Sequence, residues 1–219
     1  IQQYYITEKQ KNTKQSLPQV LVSSPHKKPS ILHTVEFYYP HTGGAQTVVQ
    51  QISERLVNRG YRVTVATAKL DCRNTRELNG VHIEEFSVKG SFGNGIWWND
   101  VGRYKDFLRS HPSDIMMNYA AQQWATDLAF EAVQSVRKSK VNIIAPCGYS
   151  ALSDSRTIRC PQFADYFNCM IPAVLPQYDA SIYHSSCYQD YEYARNHGFV
   201  NSLVIPNGVD EEEFTKPPL

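Results

Sequence analysis

Strand-like and helix-like segments alternate along most of this chain, and the first junction between them constrains the fold most: Pro40-His41-Thr42-Gly43-Gly44 separates an apolar run from an amphipathic one. Ile31 to Tyr39 is rich in β-branched and aromatic residues, as strands are, while Ala45 to Arg59 places Val48, Ile52 and Leu56 on one helical stripe with Val49 beside it. Two glycines therefore fall where strand turns to helix. Lacking Cβ atoms, they let a charged ligand approach the backbone, and the first N–H groups of the following helix are free to bind it. A tight strand-to-helix turn is the alternative reading of the same residues.

The alternation continues downstream. Gly60 supplies a helix stop and Tyr61 to Ala68 alternates in strand fashion, which completes a βαβ unit. Val81 to Val88 reads as a third strand, and Gly90 to Gly95 as a mobile glycine-rich loop. Asp100 to Ser110 and Trp124 to Lys138 read as helices, with strands at Asp114 to Asn118 and Val141 to Ala145. Pro161 suits the first turn of a helix running to about Leu175; Ala180 to Tyr183 is a strand, Cys187 to Asn196 a helix stopped by Gly198, and Leu203 to Ile205 the last strand. Such a pattern predicts an α/β fold, a Rossmann-like doubly wound and mostly parallel sheet with helices on both faces. Ligands bind such sheets at the carboxyl ends of the strands, where the glycine loop, Tyr119, Cys147-Gly148 and His184-Ser185 all fall.

A net charge of +1 offers no overall attraction to nucleic acid or anionic lipid. The five cysteines, 72, 147, 160, 169 and 187, include no Cys-x-x-Cys pair, so neither a disulfide framework nor a zinc site is indicated and a reducing cytoplasm is expected. No apolar run reaches the roughly 20 residues that span a bilayer, and the amino end has no signal-peptide pattern. Residues 1–29, rich in Gln, Lys, Ser and Pro, are expected to be a linker or extension from an upstream region, and 30–219 one domain. The sequence Thr42-Gly43-Gly44-Ala45 is not the Gly-x-Gly-x-x-Gly fingerprint, which argues against a nicotinamide-dependent oxidoreductase.

Pro40 to Gly60 followed by Tyr61-Arg62-Val63-Thr64-Val65, and later Val204-Ile205-Pro206-Asn207-Gly208-Val209-Asp210 with Phe214, resemble the family 4 (group 1) retaining glycosyltransferases of the GT-B fold. Between them Ser113-Asp114-Ile115, Ala145-Pro146-Cys147-Gly148-Tyr149-Ser150 and Asp179-Ala180-Ser181-Ile182 follow in the order of that family, so the resemblance covers roughly residues 31 to 219. It implies two Rossmann-like domains facing across a cleft, of which this chain is the N-terminal, acceptor-side half; the C-terminal donor domain with its paired glutamates lies outside these 219 residues. It also implies a metal-independent hexosyltransferase-like enzyme of polysaccharide biosynthesis that moves a sugar from a nucleotide-sugar, a substrate and not a cofactor, to a glycan or lipid-linked acceptor. The location would be cytoplasmic, at the inner face of a membrane if contact with it is peripheral, and the half alone would be inactive. A non-catalytic carbohydrate- or partner-binding module that has kept the fold is the alternative.

On this resemblance Gly43 and Gly44 bind the donor diphosphate, because preorganised N–H groups at a helix start need no metal to do so. Cys147 stands where the family often has a histidine that bonds the donor sugar. A thiol is a weak donor, so the donor is a 6-deoxysugar, the contact comes from elsewhere, or Cys147 is a small buried residue. Asn118, Tyr119, Gln122 and Gln123 are candidates for acceptor hydroxyls or for local caps, and Gly148 and Tyr149 complete the acceptor set. Phe92, Trp97 and Trp98 could stack on a sugar ring or belong to the core. Arg156 and Arg159 could meet a phosphate or be solvated loop charges. His184 and Ser185 lack an acidic partner for a triad. Asp210 and Phe214 would secure the interdomain crossover, with Glu211 to Glu213 an exposed acidic patch.

Overall fold

The computed structural model describes residues 28–92, 95–97, 99–136, 140–152 and 162–209. The linker expected up to residue 27, Trp98, Arg156, Arg159, Cys160, Pro161 and everything from Asp210 onward lie outside the described residues.

Ten strands form. Eight make one sheet in the order β10 (Ser202–Val204), β9 (Ala180–Tyr183), β8 (Val141–Ala145), β7 (Ile115–Tyr119), β1 (Ser30–Thr34), β2 (Arg62–Ala68), β4 (Val81–Phe86) and β3 (Glu77–Leu78). All neighbours are parallel except the β3–β4 hairpin. Its turn is Asn79-Gly80, both in the left-handed region (φ 49 and 79), as a two-residue hairpin connection demands. The chain winds outward from β1 through β2 to β4, then returns to the other side of β1 and winds outward through β7, β8, β9 and β10. The order therefore reverses between β1 and β7, the crevice position of doubly wound folds.

Helix α1 (Gly44–Asn58) forms because its apolar stripe has a sheet to cover: Val49 is buried and Val48, Ile52 and Leu56 pack beside it on Val35, Val65 and Ile83. It ends where Gly60 takes φ +82, and Tyr61 N–H reaches back to the Leu56 carbonyl at 3.1 Å. On the opposite face lie α2 (Val101–Ser110), α3 (Trp124–Asp127) and α4 (Ala129–Val136), with Tyr104, Leu108, Trp124 and Val133 packed on Leu32, Ala66 and Phe86. The faces are unequally covered, and Ile143 and Ile182 on the α1 side are only partly buried.

Three expectations change. Lys89–Ser91 (β5) and Gly95–Trp97 (β6) pair antiparallel, so the glycine-rich segment is a hairpin and not an irregular loop; Gly90 and Gly95, at φ 98 and 80, supply the backbone that lets it fold back. The helix expected from Trp124 is broken at Leu128. The helix expected to run to Leu175 is composite: Gln162–Asp165 is α-helical, Tyr166–Met170 a π-turn, Ile171–Val174 α-helical and Leu175–Gln177 a 3₁₀ turn. Pro172 and Pro176 remove backbone donors there, so a regular i to i−4 ladder cannot form.

Candidate functional site

Four connections meet above the carboxyl ends of the central strands: residues 35–43 after β1, 120–123 after β7, 146–149 after β8 and 184–188 after β9. Ala120, Gln122 and Cys147, none of them glycine, adopt left-handed φ angles of 63, 63 and 58. Two adjacent connections thus carry three costly backbone conformations, a concentration found where a site over-determines the chain.

In the first connection, Gly43 is the N-cap of α1 and no side chain caps the helix. The opening N–H groups of α1 are consequently left for solvent or a ligand. A Cβ on Gly44 would meet nothing within 4 Å, and one on Gly43 would meet chiefly the mobile end of the Gln46 side chain. Neither glycine is required by the protein's own packing, and what their absent side chains preserve is open space at the positive end of a helix dipole. In the same connection His41 stacks on Phe37 at 4.5 Å between ring centres.

Arg73, in the connection after β2, fixes that loop from below. Its buried guanidinium donates to the carbonyls of Tyr39 (2.6 Å), Tyr38 (3.1 Å) and Ala68 (3.0 Å) and pairs with Glu85. Only a planar guanidinium offers donors in enough directions for these acceptors.

Asp127 is the hub on the opposite side. Its carboxylate accepts Phe92 N–H at 3.1 Å and Tyr166 Oη–H at 2.8 Å, so it ties the β5–β6 hairpin to the π-turn. Tyr166 Oη in turn accepts Gln122 N–H at 3.1 Å. Burial pushes Asp127 up to about 7, against the opposing hydrogen bonds of Phe92, Tyr166 and Gln122, and the neighbouring Glu36 carboxylate adds to the rise. Glu36, half-buried, is also raised to about 7 by desolvation.

Cys147 lies open to solvent on one side, but protein surrounds it on the others and burial pushes its thiol up to about 11. It is therefore a neutral thiol near pH 7 and no nucleophile. Its sulfur lies 3.4 Å from the Ala145 carbonyl and 3.7 Å from His184 Nε2. His184 Nδ1 lies 3.1 Å from the Ile205 carbonyl, an acceptor, which assigns the ring proton to Nδ1 and leaves Nε2 as an acceptor facing the thiol. Gly148, at φ +90, donates its N–H to Asp190 at 2.9 Å, and a Cβ there would strike the Tyr188 ring.

The other expected site residues divide. Asn118 is fully buried with its amide engaged within the fold: Nδ2 donates to Thr34 Oγ1 and Oδ1 accepts Tyr178 Oη–H, both at 2.7 Å. Tyr149 is likewise fully buried, its ring set edge-on to Phe167 and Tyr193. Both are core residues here and not open to an acceptor. Tyr119 is buried beneath His184, their rings 6.4 Å apart. Gln122 is half-buried and its Oε1 accepts Ala151 N–H at 3.5 Å, and Gln123 occupies the α3 N-cap position without capping it through its side chain. Phe92 packs partly buried against the core, and the backbone of Trp97 is in β6. Ser185 Oγ accepts Cys187 N–H at 3.1 Å, a local turn. Sequence reasoning missed Glu36, Arg73, Asp127 and Tyr166. A lone acid in each of two apolar segments was the available signal for Glu36 and Asp127; nothing local marks Arg73.

Among the described residues no group of three or more His, Cys, Asp or Glu side chains is placed to hold a metal, and no helix is long and apolar enough to cross a membrane.

No protein-family model matches the chain, and no curated protein matches it at a significant level. Among solved structures it is similar to sucrose-phosphate synthase from Thermosynechococcus elongatus, with a TM-score of 0.58 at 14% identity over 87% of this chain. The match takes in 53% of that protein, so the chain spans about half the length of its structural neighbour. The likeness establishes the fold as a Rossmann-like half of a GT-B architecture.

Proposed function

We propose that this chain is the acceptor-side half of a retaining, metal-independent glycosyltransferase of the family 4 type, which moves a sugar from a nucleotide-sugar donor to a glycan or lipid-linked acceptor. The observation that carries the reading is the uncapped start of α1, where Gly44 opens onto empty space beside the β1/β7 switch point. A leaving diphosphate gains negative charge as the glycosidic bond breaks, and fixed N–H dipoles at that point stabilise it without reorganising. The structural neighbour is by its name a synthase of sucrose phosphate, a sugar-transfer product, and this supports the same class of chemistry here. Retention and metal independence rest on the resemblance of the Pro40–Gly60 and Val204–Asp210 segments.

In this reading the donor's sugar and base are held mainly by a second domain, and the isolated half binds nucleotide weakly. Gly43 and Gly44 take the diphosphate, Gln122 and Gly148 line the acceptor side, and His184 presents a lone pair beside Cys147. The test is a titration of the ¹⁵N-labelled chain with UDP, GDP, ADP and dTDP. At least one should shift the amides of Gly43, Gly44 and Ala45 before any others. If none does, the reading falls. A second reading, a sugar-binding module without catalysis, draws on the neutral Cys147 thiol; it is favoured if methyl glycosides bind while every nucleotide leaves those amides unmoved.

A further inference from the structure

Leu32, on the face of β1 that packs against Tyr104 and Trp124, and Val35, which joins the α1-side cluster, fix the alternation of the chain as it leaves the sheet. Thr34 continues the Leu32 face inside the core, and Glu36, two residues past the end of β1, is half-buried in the connection that leads to Gly43. The backbone at Glu36 is pinned although the strand has ended: its carbonyl accepts Ala68 N–H at 2.9 Å and Thr67 Oγ1–H at 3.1 Å. The side chain thus leaves a rigid base.

No donor reaches the Glu36 carboxylate among the described residues, in hydrogen bond or ion pair. Asp127, whose charge Glu36 feels, is served by Phe92, Tyr166 and Gln122, whereas Glu36 has no such donor. Half-burying an unpaired carboxylate costs the fold stability, and burial here is enough to hold it near 7. Nothing in the packing of β1 requires an acid at this position. A cation would need several free carboxylate oxygens, and those of Asp127 are already bonded. Neutral O–H donors need only the two oxygens of Glu36, each able to accept one of a pair of neighbouring sugar hydroxyls.

We propose that Glu36 is an acceptor-binding residue, receiving hydroxyl hydrogen bonds from a sugar lodged in the crevice across from Gly43 and Gly44. The inference rests on the reading of this crevice as a glycosyltransfer site and names the residue on its acceptor side. It is tested on the full chain by ¹³C NMR of the glutamate carboxyls, with Glu36 assigned by Glu36→Gln, during titration with the methyl glycosides of glucose, mannose, galactose and rhamnose. At least one glycoside should move the Glu36 carboxyl resonance, and Glu36→Gln should weaken its binding about tenfold. The isosteric variant should keep the amide spectrum of the folded chain. A resonance that no glycoside moves, or a Gln variant that binds as well as the parent, overturns the inference. Nucleotide shifts at Gly43 and Gly44 with a silent Glu36 would remove the acceptor role and leave the transferase reading standing; a responsive Glu36 with silent glycine amides would keep the hydroxyl-binding role and remove that reading.

Discussion

Arg73 Nε donates to the Tyr39 carbonyl at 2.6 Å, and through this bond the connection after β2 holds the connection after β1. The same guanidinium serves Tyr38 and Ala68 and neutralises Glu85, so the glycine loop rests on one buried cation. Arg73→Met would take the guanidinium from a carboxylate and from the Tyr39 and Ala68 carbonyls, while the Tyr38 carbonyl keeps His41 N–H at 3.1 Å. A loss of about 3–5 kcal/mol in chemical denaturation is expected, as for breaking one side of a buried pair, together with faster amide exchange from 38 to 44. Arg73→Lys should fall between, since an ammonium cannot reach four divergent acceptors.

Gly44→Ala separates packing from ligand binding. The new methyl group meets nothing within 4 Å, and alanine loses less backbone entropy in a helix than glycine, so stability should rise by up to about 0.5 kcal/mol or stay unchanged. Nucleotide affinity should nevertheless fall about tenfold, because the methyl occupies the approach to the first N–H groups of α1. Thermal melts and amide-shift titrations on the same sample check both halves; equal nucleotide affinity would mean the anion does not sit there.

Asn118→Ala should behave in the opposite way. Removing the amide leaves the Tyr178 hydroxyl unpaired in the core, takes one of the partners of Thr34 and opens a small void, for a cost of about 3 kcal/mol. Glycoside binding by the surviving folded population should be unchanged, since the amide faces neither solvent nor crevice.

Asn118 also illustrates how far the sequence reached. Read as the last residue of its strand, it would stand at the rim, but β7 runs one residue further to Tyr119, and that single step places it inside the sheet. Strands β8 and β9 were legible to the residue, because short apolar runs bounded by turns leave little choice. The start of α1 was legible for the same reason that it is open: two glycines without a capping side chain. Glu36 was hidden within an apolar run that looked like one strand to Tyr39, whereas β1 ends at Thr34. Arg73 could not be found by any local pattern, since its function depends on carbonyls more than thirty residues away. The hairpin at Gly90 and Gly95 has no sequence signature of its own, because glycine content signals both irregular loops and tight reversals, and only the pairing of Ser91 with Gly95 decides between them.

His33 weakens the fold toward acid. It is fully enclosed between β1 and α1, its Nδ1 lies 2.8 Å from Ser53 Oγ, and burial lowers it from 6.5 to about 4. Between these values the unfolded chain binds a proton that the native chain refuses, so stability is complete above pH 6.5 and is lost as pH falls toward 4. The full difference corresponds to about 3 kcal/mol. His111, also lowered to about 4 by burial, acts in the same direction, while Glu36 and Asp127, raised to about 7, gain protons in the native state and act against it. The contribution of His33 is therefore read as a difference: His33→Gln, which keeps a polar group near Ser53 but does not titrate, should lose less stability than the parent between pH 7 and 4.5 in urea denaturation. Parallel loss in both proteins would show that the His33 imidazole is protonated in the native state after all.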